Sequence, residues 1–180
     1  LWSRERPESR IAVNLSPVQF RKQDIRQHVL DVLEKTGLNP HSLELELTES
    51  ILMQNPESAA NDVRFLQELG VTFSIDDFGV GYSSLSYVKN LPVDRLKIDQ
   101  GFIRNVNNDP NDAAIVRAII NLGHSLNLKI MAEGVETAEQ LAFVRSEGCD
   151  EVQGFYFSPP VPAEDFEFLF SQQNLVARTA

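Results

Sequence analysis

The segment PESAANDVRFLQELGVTFSI, residues 56–75, joins two different hydrophobic patterns. Its first part repeats apolar residues at helical spacing from Ala59 to Leu66. Gly70 then marks the end of the helix, and residues 71–75 form a short apolar run of strand length. The segment therefore predicts a helix followed by a buried strand, which is the repeating unit of an α/β protein.

The same alternation extends along the chain. Five further apolar runs of strand length occupy residues 11–15, 43–47, 95–98, 128–132 and 151–157. Helical patterns separate them, from Ser16-Pro17 to Gly37, from Asn55-Pro56 to Gly70, from Asn111 or Asp112 to Leu126 and from Thr137 to Gly148, with shorter ones at residues 83–89 and 163–170.

Strands that alternate with helices imply βαβ units and a parallel sheet. No G-x-G-x-x-G motif follows the first strand, which disfavours a dinucleotide-binding Rossmann fold. We therefore expect a TIM-type (β/α) barrel, although such barrels have eight strands and typically about 250 residues. With six predicted strands in 180 residues, the sheet is either open or an incomplete barrel.

Composition and charge exclude several classes of protein. The 26 acidic and 16 basic residues give a net charge of −10, which argues against binding to DNA. No apolar stretch is long enough to span a membrane, and the charged start lacks the apolar run of a signal peptide. The single cysteine, Cys149, excludes an internal disulfide framework, so we expect a cytoplasmic domain.

A polar residue stands at the end of each apolar run. In a parallel barrel these strand ends share one face, where active sites are built. Oxygen ligands from several strands suit Mg²⁺ or Mn²⁺, and a lysine beside them would stabilise a developing anion. The residues are Asn14, Glu46 with Glu49 one turn on, Asp76 and Asp77, Lys97 and Asp99, Glu133, and Gln153.

Each of these residues also has a simpler structural interpretation. Asp76-Asp77 could form a turn, Glu44 and Glu46 could be the solvent face of an edge strand, and Lys97 could extend outward to water. Asn14 could serve only as a helix cap, and Gln153 could satisfy only backbone groups. Six such coincidences at consecutive strand ends are less probable than any one of them, so the set favours a metal site.

The motifs, in their sequences and in their order along the chain, resemble those of one known family. From about residue 11 to 170 the sequence is similar to the EAL-domain phosphodiesterases of bacteria. The motifs are Asn14-Leu15-Ser16-Pro17, Glu46-Leu47-Thr48-Glu49, the stretch of residues 76–85 that begins Asp76-Asp77-Phe78-Gly79, Leu96-Lys97-Ile98-Asp99, Ala132-Glu133-Gly134-Val135-Glu136 and Gln153-Gly154. The resemblance implies a modified TIM barrel that hydrolyses cyclic di-GMP to the linear dinucleotide pGpG.

The resemblance also implies a role for each site residue. Two Mg²⁺ or Mn²⁺ ions would be bound, Lys97 would contact the attacking water, and Glu133 and Gln153 would complete the catalytic site. Glu49 would stabilise the loop of residues 76–85. The resemblance also implies a homodimer that forms through the region of this loop. The implied metal ligands are Asn14, Glu46, Asp76 and Asp77, and the implied substrate contacts are Ser16, Pro17, Asp99, Glu136 and Pro159.

The chain departs from the family in one respect. The Glu-Ala-Leu tripeptide that names the family does not occur in the sequence. We therefore expect residues 1–180 to be an EAL-type domain without its N-terminal strands. In the full protein, sensor or GGDEF domains would be attached to it, and segments outside this chain could tether it to a membrane. The alternative function is a cyclic di-GMP-binding or regulatory module that does not hydrolyse its ligand.

Overall fold

The structure is a computed structural model that describes residues 9–22, 24–54, 56–81, 89 and 92–166. The chain forms two compact units, Leu1–Leu96 and Lys97–Ala180. Within the described residues six strands follow one another in the sheet in chain order. They are β1 (Ile11–Asn14), β2 (Leu43–Thr48), β3 (Thr72–Phe78), β4 (Arg95–Ile98), β5 (Lys129–Ala132) and β6 (Glu151–Val152).

Helices connect these strands, as the sequence pattern requires. In the described part of the chain they include α1 (Pro17–Lys22), α2 (Ile25–Thr36), α3 (Glu49–Gln54), α4 (Pro56–Glu68), α5 (Gln100–Arg104), α6 (Pro110–Ser125) and α7 (Ala138–Ser146). A short 3₁₀ helix, Pro40–Ser42, precedes β2. Residues 163–166 begin a further helical turn. The alternation of strands and helices confirms the predicted α/β class.

In the first unit, strand β2 separates apolar from polar side chains. It is paired in parallel with β1 and β3. Because successive side chains of a strand point to opposite faces, Leu43, Leu45 and Leu47 share one face, whereas Glu44 and Glu46 share the other. Both carboxylates are nevertheless buried. The glutamates are therefore not the solvent face of an edge strand, and that interpretation is wrong.

In the second unit, a polar network fixes the start of α7. Thr137 and Gln140 form the predicted capping box, in which the Thr137 hydroxyl accepts from the backbone N–H of Gln140. The side-chain oxygen of Gln140 accepts from the backbone N–H groups of Glu136 and Thr137, and its amide donates to the carbonyl of Arg104. Gln140 therefore ties the loop after β5 to the end of α5.

Several predicted boundaries need correction. The helix predicted from Pro17 to Gly37 is two helices, because the Asp24 carboxylate accepts from the backbone N–H of Gln27 and starts α2 anew. Helix α6 begins at Pro110 with Asp109 as its cap, before the predicted start, and α7 ends at Ser146.

The last strand also differs from its prediction. Strand β6 comprises only Glu151–Val152, whereas the apolar run extends to residue 157. The helix predicted at residues 83–89 lies outside the described residues except for its last position, and the one predicted at 163–170 is described only to residue 166. A membrane-spanning helix needs a long, largely uncharged apolar stretch, and the helices in the described part of the chain contain none.

Candidate active site

Three polar residues of the first unit stand at the carboxyl ends of adjacent strands. Asn14 of β1 pairs in register with Glu46 of β2, and Thr48 of β2 pairs with Asp76 of β3. Glu46 is 8% exposed, Asp76 is half-buried, and Asn14 is exposed. Three parallel strands thus bring an amide and two carboxylates to one edge of the sheet, as the sequence predicts.

Asp76 and Asp77 supply two neighbouring carboxylates. Their oxygens come within 4.8 Å of each other, a separation at which a pair of carboxylates can share a cation. Asp77 adopts a φ of +53°, which residues other than glycine seldom take. Such conformations concentrate at functional sites. Because β3 continues through both residues to Phe78, the simple-turn interpretation of this pair is wrong.

Glu49 contacts the loop that follows β3. It lies in the first turn of α3, and its Oε1 accepts a hydrogen bond of 3.1 Å from the backbone N–H of Gly79. Its Oε2 lies close to Gly81, where a Cβ would be only 2.6 Å away. Residues 82–85 of the predicted loop lie outside the described residues. Up to Gly81, Glu49 therefore contacts this loop at two residues.

In the second unit, three side chains meet at one carboxylate oxygen. Lys97 is 3% exposed, and its Nζ lies 2.7 Å from Oε1 of Glu133. The side-chain amide of Gln153 donates to the same oxygen at 2.7 Å. Lys97 therefore does not extend outward to water, and Gln153 does more than satisfy backbone groups. Both simpler interpretations are wrong.

Backbone hydrogen bonds place these three side chains side by side. The N–H of Glu133 donates to the carbonyl of Ile98, and the N–H of Gln153 donates to the carbonyl of Ala132. The ends of β4, β5 and β6 are thereby held together. A buried ammonium and a carboxylate form a neutral pair, and the amide adds a third hydrogen-bonded partner to the cluster.

The five predicted substrate contacts lie in loops and at helix starts. The Ser16 hydroxyl accepts from the N–H of Gln19 at 3.1 Å, and Pro17 is the first residue of α1. The Asp99 carboxylate caps α5 by accepting from the N–H of Gly101 at 2.8 Å. Glu136 and Pro159 are both exposed.

A buried ion pair beneath the carboxyl ends was not predicted. Arg95 and Glu44 form a charge-assisted hydrogen bond, and their side chains are only 6% and 5% exposed. The half-exposed Arg10 adds a second guanidinium 3.8 Å from Glu44. Glu44 lies two residues before Glu46 on β2, and Arg95 lies two before Lys97 on β4. The signal available in the sequence was this spacing of two residues. It places Glu44 on the same face of β2 as Glu46, and Arg95 on the same face of β4 as Lys97.

Comparison with known proteins identifies the family. The model of the EAL domain family matches residues 1–160. The chain is also 49% identical over 154 residues to the bifunctional diguanylate cyclase/cyclic di-GMP phosphodiesterase MucR of Pseudomonas aeruginosa, a match that covers 86% of this chain and 22% of MucR. The chain belongs to the EAL domain family.

Solved structures agree with this assignment. A structure described as the MucR phosphodiesterase in complex with c-di-GMP matches with a TM-score of 0.87 and 46% identity, over 92% of this chain and 67% of that one. A manganese/cy-diGMP complex of Klebsiella pneumoniae BlrP1 matches with a TM-score of 0.77 and 31% identity, over 85% of this chain and 39% of that one. The predicted fold, an incomplete TIM-type α/β barrel, is confirmed, with six strands in the part of the chain that the structure describes.

The chain covers a small part of its curated relatives. It spans between about a fifth and a quarter of the length of the relatives it matches, among them the oxygen sensor protein DosP of Escherichia coli.

Proposed function

We propose that this chain hydrolyses cyclic di-GMP to the linear dinucleotide pGpG in bacterial second-messenger signalling. Membership of the EAL domain family supports the substrate class, and the related MucR structure is a c-di-GMP complex. The observation that carries the reaction type is the cluster of Lys97, Glu133 and Gln153 at the ends of three successive strands. Such a cluster of charged and hydrogen-bonded groups suits proton transfer and charge stabilisation better than packing.

Divalent metal ions fit the donor set of the first unit. The proposed ligands are Asn14, Glu46, Asp76 and Asp77, all of which offer the hard oxygen atoms that Mg²⁺ and Mn²⁺ prefer. The related BlrP1 structure is a manganese complex. Two such ions, when bound, would lower the pKa of a water and stabilise the leaving oxygen of the phosphodiester.

The residues of the second unit would complete the chemistry. The ammonium of Lys97 would orient the attacking water and stabilise the developing negative charge on the phosphoryl oxygens. Glu133 would keep that ammonium in place, because its Oε1 lies 2.7 Å from Lys97 Nζ. Gln153 would in turn fix the carboxylate, since its amide donates to the same oxygen.

The remaining predicted residues would bind the substrate or shape the site. Ser16, Pro17, Asp99, Glu136 and Pro159 are the proposed substrate contacts. Glu49 would hold the loop after β3 through the N–H of Gly79, and we propose a homodimer that forms through the region of this loop. We also propose a cytoplasmic location. Because the curated relatives are much longer than this chain, we further propose attached sensor or GGDEF domains.

The test is chromatography of cyclic di-GMP incubated with the purified protein and Mn²⁺. We expect the linear dinucleotide from the wild type, and a rate at least about 100-fold lower from Lys97→Met, the loss typical of an electrostatic catalytic group. Lys129→Met is the matched control, because the Lys129 side chain is 60% exposed and its ammonium lies 3.7 Å from the carboxylate of Glu151. Circular dichroism would verify that each variant is folded.

Two outcomes would contradict the proposal. Full activity in Lys97→Met would remove that residue from the mechanism. A wild-type protein that retains cyclic di-GMP in isothermal titration calorimetry but yields no product would instead support the binding or regulatory module.

A further inference from the structure

Gly154 lies unusually close to the backbone of a neighbouring segment. It follows β6, and a Cβ at this position would lie 2.2 Å from the carbonyl oxygen and 2.3 Å from the nitrogen of Val135. Its φ of +154° is also one that side-chain-bearing residues rarely adopt. Because the opposing atoms are backbone, no side chain can rotate away to make room. Only glycine fits this position without a shift of the two segments.

Two hydrogen bonds join the same segments on either side of Gly154. The N–H of Val135 donates to the carbonyl of Gln153 at 3.1 Å, and the N–H of Tyr156 donates to the carbonyl of Val135 at 2.9 Å. Val135 is fully buried. We call this contact, made by Val135 with Gln153, Gly154 and Tyr156, the Val135 crossing. It fixes the loop after β5 against the loop after β6.

The Val135 crossing adjoins the cluster around Glu133. Gln153 immediately precedes Gly154, Glu133 lies two residues before Val135, and their side chains share a 2.7 Å hydrogen bond. Real Cβ contacts essentially never fall below 3.0 Å, so a Cβ at residue 154 would separate the segments by at least about 0.8 Å. A shift of that size along the Gln153–Glu133 bond would lengthen it from 2.7 Å to about 3.5 Å, beyond the usual limit of about 3.2 Å for N–H···O bonds.

We propose that Gly154 is a positioning residue, which sets the Gln153–Glu133 contact through its close approach to Val135. It thereby holds the Glu133 carboxylate in the orientation in which it pairs with Lys97. The catalytic part of this inference rests on the proposed phosphodiesterase function, whereas the contact itself can be measured without turnover.

The experiment compares Gly154→Ala with Gly148→Ala. Gly148 has a φ of +82°, but among the described residues a Cβ there would meet a ring carbon of His124 at 4.0 Å and nothing closer. This control therefore introduces backbone strain without the clash at Gly154. The side-chain amide resonances of Gln153, assigned by their loss in Gln153→Ala, report the bond to Glu133 in ¹H–¹⁵N NMR spectra. We expect them to move towards random-coil values in Gly154→Ala and to stay unchanged in Gly148→Ala.

The kinetic measurement uses a double-mutant cycle. We expect Gly154→Ala to lower kcat at least about tenfold with less than a threefold change in KM, and Gly148→Ala to stay within about twofold of the wild type. In a Gln153→Ala background, Gly154→Ala should change kcat by less than about twofold, because residues that act through the same contact are not additive. A purely structural effect of Gly154 would instead reduce kcat again in that background.

Three results would overturn the inference. Unchanged Gln153 amide resonances in Gly154→Ala would show that the close approach does not set the contact, and additive losses in the cycle would show that Gly154 acts elsewhere. Random-coil amide resonances for Gln153 in the wild type would show that its bond to Glu133 is absent, which would refute the inference even if Gly154→Ala failed to fold. A wild type without hydrolysis would contradict the proposed function alone, because the NMR comparison still decides whether Gly154 positions Gln153.

Discussion

Replacement of Arg95 by methionine should strongly destabilise the first unit. The change removes the guanidinium that neutralises Glu44, and the Glu44 side chain is only 5% exposed, so it cannot gain water in exchange. Removal of one partner of a buried ion pair costs about 3–5 kcal/mol. Arg10 lies 3.8 Å from the same carboxylate and is 39% exposed, so it offsets part of the loss. We therefore expect the lower end of this range, about 3 kcal/mol.

The assay is urea and thermal denaturation followed by circular dichroism. A loss of about 3 kcal/mol corresponds to a decrease in Tm of about 6–12 °C for a chain of this size. Arg117→Met is the control, because Arg117 pairs with Glu147 at 2.8 Å but is 50% exposed. Its loss should stay within about 1 kcal/mol, as is usual for a surface ion pair.

The double variant Glu44→Leu/Arg95→Met tests the cause. If Arg95→Met is unstable because it leaves the buried Glu44 carboxylate unneutralised, removal of that carboxylate should restore at least about 1 kcal/mol of the free energy of unfolding. An Arg95→Met variant no less stable than Arg117→Met would refute this reasoning. A double variant less stable than Arg95→Met would do so as well.

Two further predictions concern titrating groups of the second unit. Partial burial raises the pKa of Asp150, but hydrogen bonds from the Ile130 N–H and from His124 outweigh it and lower that pKa below its ordinary value of 3.8. The stability that these bonds contribute is present above pH 3.8 and lost as the pH falls through the lowered pKa. Asp150→Asn should therefore decrease the urea midpoint at pH 6 and have little effect near pH 2; an equal decrease at both pH values would contradict this. Burial raises the pKa of the Cys149 thiol to about 12, so little of the reactive thiolate is present at pH 8. Cys149 should therefore react with iodoacetamide far more slowly in the native protein than in the protein unfolded by urea. Equal rates would contradict the burial of this thiol.

The strand positions could be predicted because each buried strand is visible in the sequence as a short apolar run. The start of β4 at Arg95 and its end at Ile98 agree with the prediction, and the capping box at Thr137 lies where the sequence indicates it. The polar residues at the strand ends could be found for a related reason. A residue that interrupts an apolar pattern at a strand end is visible in the sequence without knowledge of its neighbours in space.

Other features depend on contacts that the sequence does not display. The Arg95–Glu44 pair joins residues that are 51 positions apart, so neither residue alone reveals the other. The break between α1 and α2 rests on Asp24 as a cap, without the proline or glycine that usually marks a helix end. The apolar run after Val152 resembles a strand, but the chain leaves the sheet there and Gly154 crosses Val135.

The alternation of leucine and glutamate along β2 also bears on how the sheet assembles. A slip of one residue in the pairing of β2 would exchange its two faces, because side chains repeat every two residues. Glu44 and Glu46 would then enter the apolar layer now occupied by Leu45 and Leu47, of which Leu47 is wholly buried. A carboxylate without a partner in such a layer is among the most unfavourable placements in a protein. Misaligned sheets are thereby penalised during folding, and these buried charges select one alignment of the strands.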